Sequence, residues 1–259
     1  MSTCLTFVIP HAGPKEPLLV TINSLLTLYP RCLFEIIIIS NSASNLSFLT
    51  TNPDLAGLNL SVFQEEFPPS IYNAMNLGAR LSQSSFVHFL NCGDVVHSSF
   101  YLVFKILSEC LDPFTIHAFP TFQHHLNPSF CRFFYPPNSR LCCLITNCWA
   151  HSSLIYPSIL FQQINYDIEY KCAADYLLTM TSLFSLPYKY NPHLSIPYIL
   201  SMAPPGFSAH NAIICSKELS QVRRKFILKN FYLMPLALCS YLYFKLSAFL
   251  HQVHPSHQS

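Results

Sequence analysis

Blocks of apolar residues alternate with turn residues along the first hundred positions of the chain. The apolar pattern predicts strands over residues 6–10, 34–39, 58–63 and 86–90, and helices over 18–28 and 70–81. The run 34–39 is β-branched along most of its length, which is typical of a strand buried on both faces of a parallel sheet. Strands that alternate with helices predict a doubly wound, mostly parallel α/β sheet, which binds ligands beyond the carboxyl ends of its strands.

The helix predicted over residues 70–81 has a polar start and an apolar stripe. Ser70 stands where a capping residue is expected. The residues predicted to share the buried face are Ile71, Ala74, Met75, Gly78 and Leu81. Further along, residues 112–147 are rich in Pro, Phe and His with little periodicity, which predicts irregular structure on the acceptor side. Two later helices are predicted over 175–184 and 217–230.

Composition excludes two classes of protein and leaves one feature to explain. Hydrophobic residues make up 51% of the chain and charged residues 10%, with a formal net charge of +2. A disordered chain is excluded by this apolar content, and the charge is too low for a nucleic-acid partner. With 22 Phe and 14 Tyr, so little charge indicates that part of the exterior faces a membrane or a partner.

The cysteines and the N-terminal residues bear on the compartment. Eleven cysteines without regular spacing predict reduced thiols and no disulfide framework. Cys142, Cys143 and Cys148 lack the paired spacing of a zinc site, so buried thiols are the favoured interpretation. The first seventeen residues have no basic region and only a short apolar stretch, so we expect a cytoplasmic protein.

Two segments that lie close together in the sequence resemble a known family of enzymes. Residues 70–80 are Ser-Ile-Tyr-Asn-Ala-Met-Asn-Leu-Gly-Ala-Arg, and residues 89–94 are Phe-Leu-Asn-Cys-Gly-Asp. They resemble the family 2 glycosyltransferases of the A-type fold, in the branch that builds bacterial surface polysaccharides, where G-I-Y-D-A-M-N-x-G precedes L-N-x-G-D or L-N-x-D-D. Further similarities follow in order around His151, over 166–176, over 205–208 and at Glu218, before a basic helix.

This resemblance implies a nucleotide-diphospho-sugar transferase (GT-A) fold and an inverting glycosyltransferase. The donor would be a nucleotide diphosphate sugar, and the acceptor a hydroxyl on a glycan or a lipid-linked molecule. Asp94 would hold Mg²⁺ or Mn²⁺ together with diphosphate oxygens, and Asp175 would be the catalytic base. Without the resemblance, spacing alone would favour a turn or cap aspartate at Asp94, and Asp175 could equally be an aspartate that complements a helix dipole.

The resemblance also implies a donor-binding set and one further polar residue. His151 would face the acceptor or the metal, although a lone histidine is more often structural. The residues expected to bind the donor are Pro10, Ser40, Asn41, Tyr72, Asn73, Asn76, Asn91, Gly93 and Asp94.

The chain departs from the family where the nucleotide base is bound. Members carry D-G-x-S-x-D-G-T after the second strand, whereas residues 40–47 are Ser-Asn-Ser-Ala-Ser-Asn-Leu-Ser. Another family acid aligns with Pro68, although Glu65 or Glu66 could substitute for it. The alternative function is therefore a catalytically degenerate nucleotide-sugar-binding protein or a membrane scaffold.

The last part of the chain is basic and then apolar. Four cations between residues 223 and 229 precede the aromatic, apolar stretch 231–244, which is broken at Pro235 and followed by Lys245. This pattern suits peripheral attachment to the anionic inner leaflet, on the cytoplasmic face of the membrane, or equally a helix packed on the catalytic domain. We expect a donor half over 1–98, an acceptor half over 99–215 and a helical tail over 216–259.

Overall fold

The strands and helices have the following bounds in the computed structural model, which describes residues 4–28, 33–41, 46, 49, 52–65, 70–124, 131–204 and 211–253. The strands are β1 Leu5–His11, β2 Phe34–Ser40, β3 Leu60–Gln64, β4 Phe86–Phe89, β5 Val95–Val96, β6 Thr115–Ala118, β7 Thr121–His124, β8 Cys131–Phe134, β9 Leu154–Pro157, β10 Lys189–Pro192 and β11 Leu200–Met202. The α-helices are α1 Lys15–Leu25, α2 Ile71–Leu81, α3 Tyr101–Glu109, α4 Ala174–Phe184, α5 Ala212–Lys229 and α6 Met234–Val253.

A seven-stranded sheet in the order β10-β6-β9-β4-β1-β2-β3 forms the centre of the molecule. All neighbouring strands pair in parallel except β9, which runs antiparallel to both β4 and β6. A second sheet has the order β5-β11-β7-β8. The prediction of a mostly parallel α/β sheet is therefore confirmed.

Side-chain alternation on the central strands explains why helices cover both faces of the sheet. On β1, Phe7 and Ile9 lie in one apolar cluster with α1 and α3, whereas Val8 lies in a second cluster with α2 and α4. Helix α2 comes very close to the sheet, because a methyl group at Gly78 would overlap the side chain of Val8. The buried faces hold the strand ends in a fixed arrangement.

Helix α2 begins and ends as predicted, but its buried face differs. Ser70 occupies the N-cap position without a side-chain capping hydrogen bond. Ile71 is 45% exposed, while the buried residues include Tyr72, Asn76 and Ala79. The polar Tyr72 and Asn76 are buried because each has a hydrogen-bonding partner elsewhere in the fold, which helical periodicity alone does not reveal.

The prediction of irregular structure over 112–147 is wrong for part of that segment. It contains β6, β7, the described strand β8 and a 3₁₀ turn over Arg140–Leu144. These strands have four residues each and pair with distant strands, as β6 does with β9 and β10. Their stability comes from such long-range pairing, so local sequence shows little periodicity.

The prediction that all the cysteines are reduced is wrong for one pair. Cys172 and Cys215 form a disulfide with their Cα atoms 5.1 Å apart, although 43 positions separate them. The fold brings the start of α4 against α5, and no local spacing signals that contact. Cys142 and Cys143 are buried thiols, as expected, and the sulfur of Cys143 lies 3.2 Å from that of Cys148.

Helices α5 and α6 form the tail and meet at a sharp bend. The axis turns by 91° between the helix Ala212–Lys229 and the segment 231–246. Within the described residues, neither helix alone has the length and hydropathy of a membrane span, although the two helices of the bent pair together have both. Helix α6 packs against the 3₁₀ turn Arg140–Leu144, so one face of it lies on the body of the protein, as one of the two predictions for the tail required.

Candidate active site

The carboxyl ends of the parallel strands bring several predicted donor residues to one edge of the sheet. Nδ1 of His11 lies 3.1 Å from Oγ of Ser40, which joins the ends of β1 and β2. The Cys92 thiol donates to the carbonyl oxygen of Pro10 at 3.4 Å and so ties the loop after β4 to the end of β1. Asn41 follows β2 directly and is exposed in a turn. This is the edge at which a doubly wound sheet binds ligands.

The turn after β4 depends on a glycine. Gly93 has φ +96°, a left-handed conformation that disfavours side chains, and a Cβ there would lie 3.1 Å from Cβ of Ala203. Its N–H donates to the Pro17 carbonyl at 3.0 Å and to Oγ1 of Thr21 at 2.9 Å. The hydroxyl of Thr21 in turn donates to the Asn91 carbonyl at 3.2 Å. Helix α1 therefore fixes the shape of this turn.

Asp94 is a buried carboxylate surrounded by donors. Oδ2 accepts the backbone N–H of Asn91 at 3.1 Å and its side-chain amide at 3.4 Å, and Oδ1 accepts the N–H of Ala203 at 2.9 Å. The Ser152 side chain also bonds to this carboxylate. Burial raises the pKa of Asp94 to about 6, although the hydrogen bonds from Ala203 and Asn91 act in the opposite direction.

Whether Asp94 suits a metal ion can be judged from these contacts. A carboxylate offers about four lone-pair sites, and four protein donors already use them while the residue is only 1% exposed. Within the described part of the chain, no group of three His, Cys, Asp or Glu residues could hold a metal ion from protein ligands alone. The arrangement of Asp94 therefore does not fit a metal ligand, because a cation would have to displace one of these donors.

Asp175 lies in the first turn of α4 with its side chain 23% exposed. Oδ1 accepts the N–H of Tyr176 at 2.8 Å, and Oδ2 lies 3.8 Å from Nδ1 of His151. Burial raises the pKa of Asp175 to about 6. Backbone hydrogen bonds lower the pKa, but they offset only part of this rise. The group is ionised at neutral pH, yet it binds a proton more readily than an ordinary aspartate does.

His151 faces Asp175 across a small cavity. Burial lowers the pKa of His151 to about 4, so the ring is neutral at physiological pH. Among the described residues, neither ring nitrogen has a hydrogen-bond partner. The cavity beside it measures about 10 Å³, room for roughly one water. Its lining residues are Asn147, Trp149, His151, Leu154, Tyr156, Asp175, Tyr176 and Thr179.

Two predicted donor residues on α2 hold the second half of the site in place. The Tyr72 ring stacks on Tyr166 with centroids 5.5 Å apart, and its hydroxyl bonds to the backbone at Ala174 and Asp175. Asn76 donates to the Tyr166 carbonyl at 2.9 Å and accepts its N–H at 2.8 Å. Both ends of this amide are thus occupied by protein. Asn73, the third predicted residue of this helix, is half-buried.

The 3₁₀ turn His151–Ser153 joins the two predicted catalytic carboxylates. Ser152 bonds to Asp94, while His151, the preceding residue, lies beside Asp175. The Ser152 carbonyl also bonds to Nε2 of His88 on β4 at 2.9 Å. One turn therefore brings the surroundings of positions 94 and 175 together, although they are far apart in sequence.

Glu218, which only the family resemblance indicated, holds the segment directly before Asp175. Glu218 lies inside α5 and accepts the backbone N–H groups of Lys171, Cys172 and Ala173 at 3.0, 2.8 and 3.1 Å. The disulfide from Cys172 to Cys215 joins the same two segments. No local pattern marks Glu218 as the partner of residues 171–173.

Some predicted features lie outside the described residues. They are residues 42–45 of the loop after β2, Glu66, Pro68 and the segment 205–208. Glu65 is described, and its Oε1 accepts the Ser70 N–H at 3.4 Å, before α2 begins. It therefore contacts the start of the helix that carries Tyr72.

Comparison with known proteins gives structural neighbours but no sequence match. No protein-family model matches the chain, and no curated protein matches its sequence. The solved structure of S. aureus TarS 1–349 with UDP is similar at a TM-score of 0.66 and 16% identity, over 87% of this chain and 66% of that one. TarS 1–349 with UDP-GlcNAc gives 0.62 and 17%, over 79% and 60%.

A second solved protein extends the comparison. The Pyrobaculum calidifontis mannosyltransferase PcManGT, with GDP-Man and Mn²⁺, is similar at a TM-score of 0.61 and 12% identity. The match covers 99% of this chain and 77% of that one. For comparison, this chain spans about two thirds of the TarS 1–349 structure solved with UDP. At these identities the comparisons establish the fold, which is the mostly parallel GT-A fold.

Proposed function

We propose that this chain transfers a sugar from a nucleotide diphosphate sugar to a hydroxyl acceptor, with inversion at the anomeric carbon. The observation that carries the proposal is the Asp175 carboxylate, which faces the neutral ring of His151 at one edge of a GT-A sheet. TarS has been solved with UDP-GlcNAc and PcManGT with GDP-Man, which supports a donor of this class.

Asp175 is the proposed base. The acceptor oxygen forms a bond to the anomeric carbon while the bond from that carbon to the diphosphate oxygen breaks. The hydroxyl proton passes to a carboxylate oxygen of Asp175, and the bonding electrons leave with the diphosphate. A raised pKa of about 6 suits this role, because the carboxylate is ionised at neutral pH and still a stronger base than usual.

His151 is the proposed contact for a sugar or acceptor hydroxyl. Its buried ring nitrogens lack a partner among the described residues, and a buried polar atom in that state favours a ligand hydrogen bond. The cavity of about 10 Å³ is smaller than a sugar ring, so its lining has to move before substrate enters. Trp149 is the largest side chain in the lining of this cavity.

The proposed mechanism includes no step through a metal ion, because Asp94 is already saturated by its donors. Use of Mg²⁺ or Mn²⁺ stays a prediction, supported by the Mn²⁺ bound to PcManGT. Nucleotide release by chelator-treated protein, measured with and without added Mn²⁺, tests it. Equal rates would reject metal dependence.

Turnover of candidate donors tests the proposal itself. Nucleoside diphosphate release would be measured with UDP- and GDP-sugars and an acceptor panel, for the intact chain, Asp175→Asn and Asp54→Asn. Asp54 is an exposed carboxylate in a 3₁₀ turn and serves as the matched control. We expect loss of turnover in Asp175→Asn alone. Equal activity of Asp175→Asn and the intact chain would contradict the assignment.

A nucleotide-sugar-binding protein without turnover is the second candidate. The observations that favour it are the saturated Asp94 and the narrow space beside Asp175. This candidate predicts that nucleotide diphosphate sugars raise the melting temperature while no donor and acceptor pair releases nucleotide. Release that depends on Asp175 would reject it.

A further inference from the structure

An apolar surface on the tail is uncovered. Phe231 and Tyr232, at the bend between α5 and α6, are 72% and 75% exposed. Along α6 the exposed residues include Leu236, Leu242 and Leu246. Together with Tyr243 these side chains form what we call the tail face. By helical spacing, Leu236, Leu242, Tyr243 and Leu246 share one side of α6, and contiguous exposed apolar side chains mark an interaction surface.

The two sides of α6 show why this surface needs a partner. Ala237 is fully buried, and Leu233, Met234 and Phe244, which lie near it by helical spacing, are half-buried. The opposite side is also apolar, with Lys245 as the charged residue of the described part of the helix. A helix that is apolar all round is normally buried on every side. Among the described residues, contact with the Arg140–Leu144 turn covers the inner side of α6.

The charged residues from position 219 to the end of α6 have one sign. Between positions 219 and 253 the sequence has five cations and no acidic residue. Arg224, Lys225 and Lys229 are exposed at the end of α5, and Lys245 is exposed on α6. Because Leu228 lies four positions after Arg224 and three after Lys225, these cations share a helix face with an exposed leucine.

We propose that the tail face docks peripherally on an anionic lipid surface. Its leucine and aromatic side chains would enter the boundary between headgroups and acyl chains, while the cations pair with phosphate groups. A second copy of the chain is a poorer partner, because its tail would bring the same positive charge. This inference does not depend on the proposed sugar transfer.

Flotation of the full chain with vesicles tests the docking. The vesicles are phosphatidylcholine alone, or phosphatidylcholine mixed with phosphatidylglycerol. We expect binding to the anionic vesicles, and weaker binding at raised salt. The charge variant Arg224→Gln/Lys225→Gln/Lys229→Gln should bind about a hundredfold more weakly. Equal binding to both vesicle types would overturn the electrostatic part of the proposal.

A second variant tests the apolar part. Leu236→Ser/Leu242→Ser/Leu246→Ser changes only exposed side chains and should bind at least about tenfold more weakly. Leu111→Ser, at a leucine that is 96% exposed outside the tail, is the matched control and should bind as the intact chain does. Thermal unfolding of each variant checks that the fold is kept. Unchanged binding of the folded triple variant would reject the tail face.

The other occupants of this surface give different results. Sedimentation without vesicles would show a dimer if a second copy covered the face, and loss of that dimer in the triple leucine variant would overturn the proposal. Vesicle-bound protein that resists extraction by alkaline carbonate would indicate insertion, which also contradicts peripheral docking. Release by carbonate or by salt supports it.

Discussion

Oδ1 of Asp94 accepts the backbone N–H of Ala203 at 2.9 Å, across 109 positions of sequence. This bond joins the turn between β4 and β5 to the end of β11. With the donors from Asn91 and Ser152, it makes the carboxylate a point where three separate segments meet. Asp94 therefore has a structural task whatever its part in catalysis.

Removal of the Asp94 carboxylate should destabilise the fold. Asp94→Ala leaves the partly buried N–H groups of Asn91 and Ala203 without an acceptor, so we expect the free energy of unfolding to fall by about 2–4 kcal/mol. Denaturant unfolding measures this, with Asp54→Ala as the exposed control. Unchanged stability together with loss of Mn²⁺-dependent turnover would instead identify Asp94 as a metal ligand.

The pH dependence of turnover should follow Asp175. The carboxyl group accepts a proton only when ionised, and burial raises its pKa to about 6. The value of kcat/KM should therefore rise tenfold per pH unit below about pH 6 and level off above it. A pH–rate profile of the intact chain measures this rise. A flat profile between pH 5 and pH 7 would argue against Asp175 as the base.

Gly93 should tolerate substitution less well than another glycine with positive φ. Gly93→Ala combines a φ of +96° with a Cβ only 3.1 Å from Ala203, so we expect a loss of about 1–3 kcal/mol. Gly13→Ala is the matched control, because its φ is +124° but nothing lies within 4 Å of the added methyl. Thermal unfolding compares the two. Equal losses would mean that backbone strain alone matters and that the contact with Ala203 is unimportant.

His151 should make the protein less stable in acid. Its pKa in the folded protein is lowered to about 4, so below about pH 6.5 the unfolded chain binds its proton more readily. The stabilisation is complete above that pH and is lost as the pH falls to about 4, a change of about 3 kcal/mol. His151→Gln should lose less stability than the intact chain between pH 7 and pH 4. Parallel stability curves would contradict a buried, neutral ring.

Glu218 should act on turnover through Asp175 without touching substrate. Its two oxygens hold residues 171–173, directly before α4. Glu218→Gln weakens these bonds, so we expect kcat to fall about tenfold with little change in KM for the donor. Glu109→Gln, at the exposed end of α3, is the control. A rise in KM alone would show that the residue affects donor binding instead.

Local sequence patterns predicted those strands and helices that have a hydrophobic periodicity of their own. The Ile run of β2 and the spacing of α2 are of this kind, and both elements occur within one residue of the predicted bounds. Helix α1 begins earlier than predicted, at Lys15, because its first turn is charged and lacks an apolar pattern. Helix α5 also begins earlier, at Ala212, in an apolar turn of Ala-Ile-Ile-Cys that was not assigned to the helix. The short strands β6 and β10 depend on pairing across the sheet, which no local window contains.

The sequence predicted which residues form the candidate site, but it did not predict how their polar atoms are used. Resemblance indicated Asp94, Asp175 and His151, and the structure places all three around one 3₁₀ turn. It did not indicate that Asp94 is saturated, or that the amide of Asn76 is committed to Tyr166. These facts depend on partners 58 to 109 positions away, so only the assembled fold reveals them.

Helix α5 crosses the boundary predicted at residues 215 and 216 between the acceptor half and the tail. Cys215 and Glu218, which stand on either side of that boundary, both hold the segment before Asp175. A shortened expression clone that stops at residue 215 would lose the Glu218 anchor while keeping every predicted catalytic residue. A fragment designed for crystallisation or assay must therefore include all of α5, even where the apolar helix after it is removed to improve solubility.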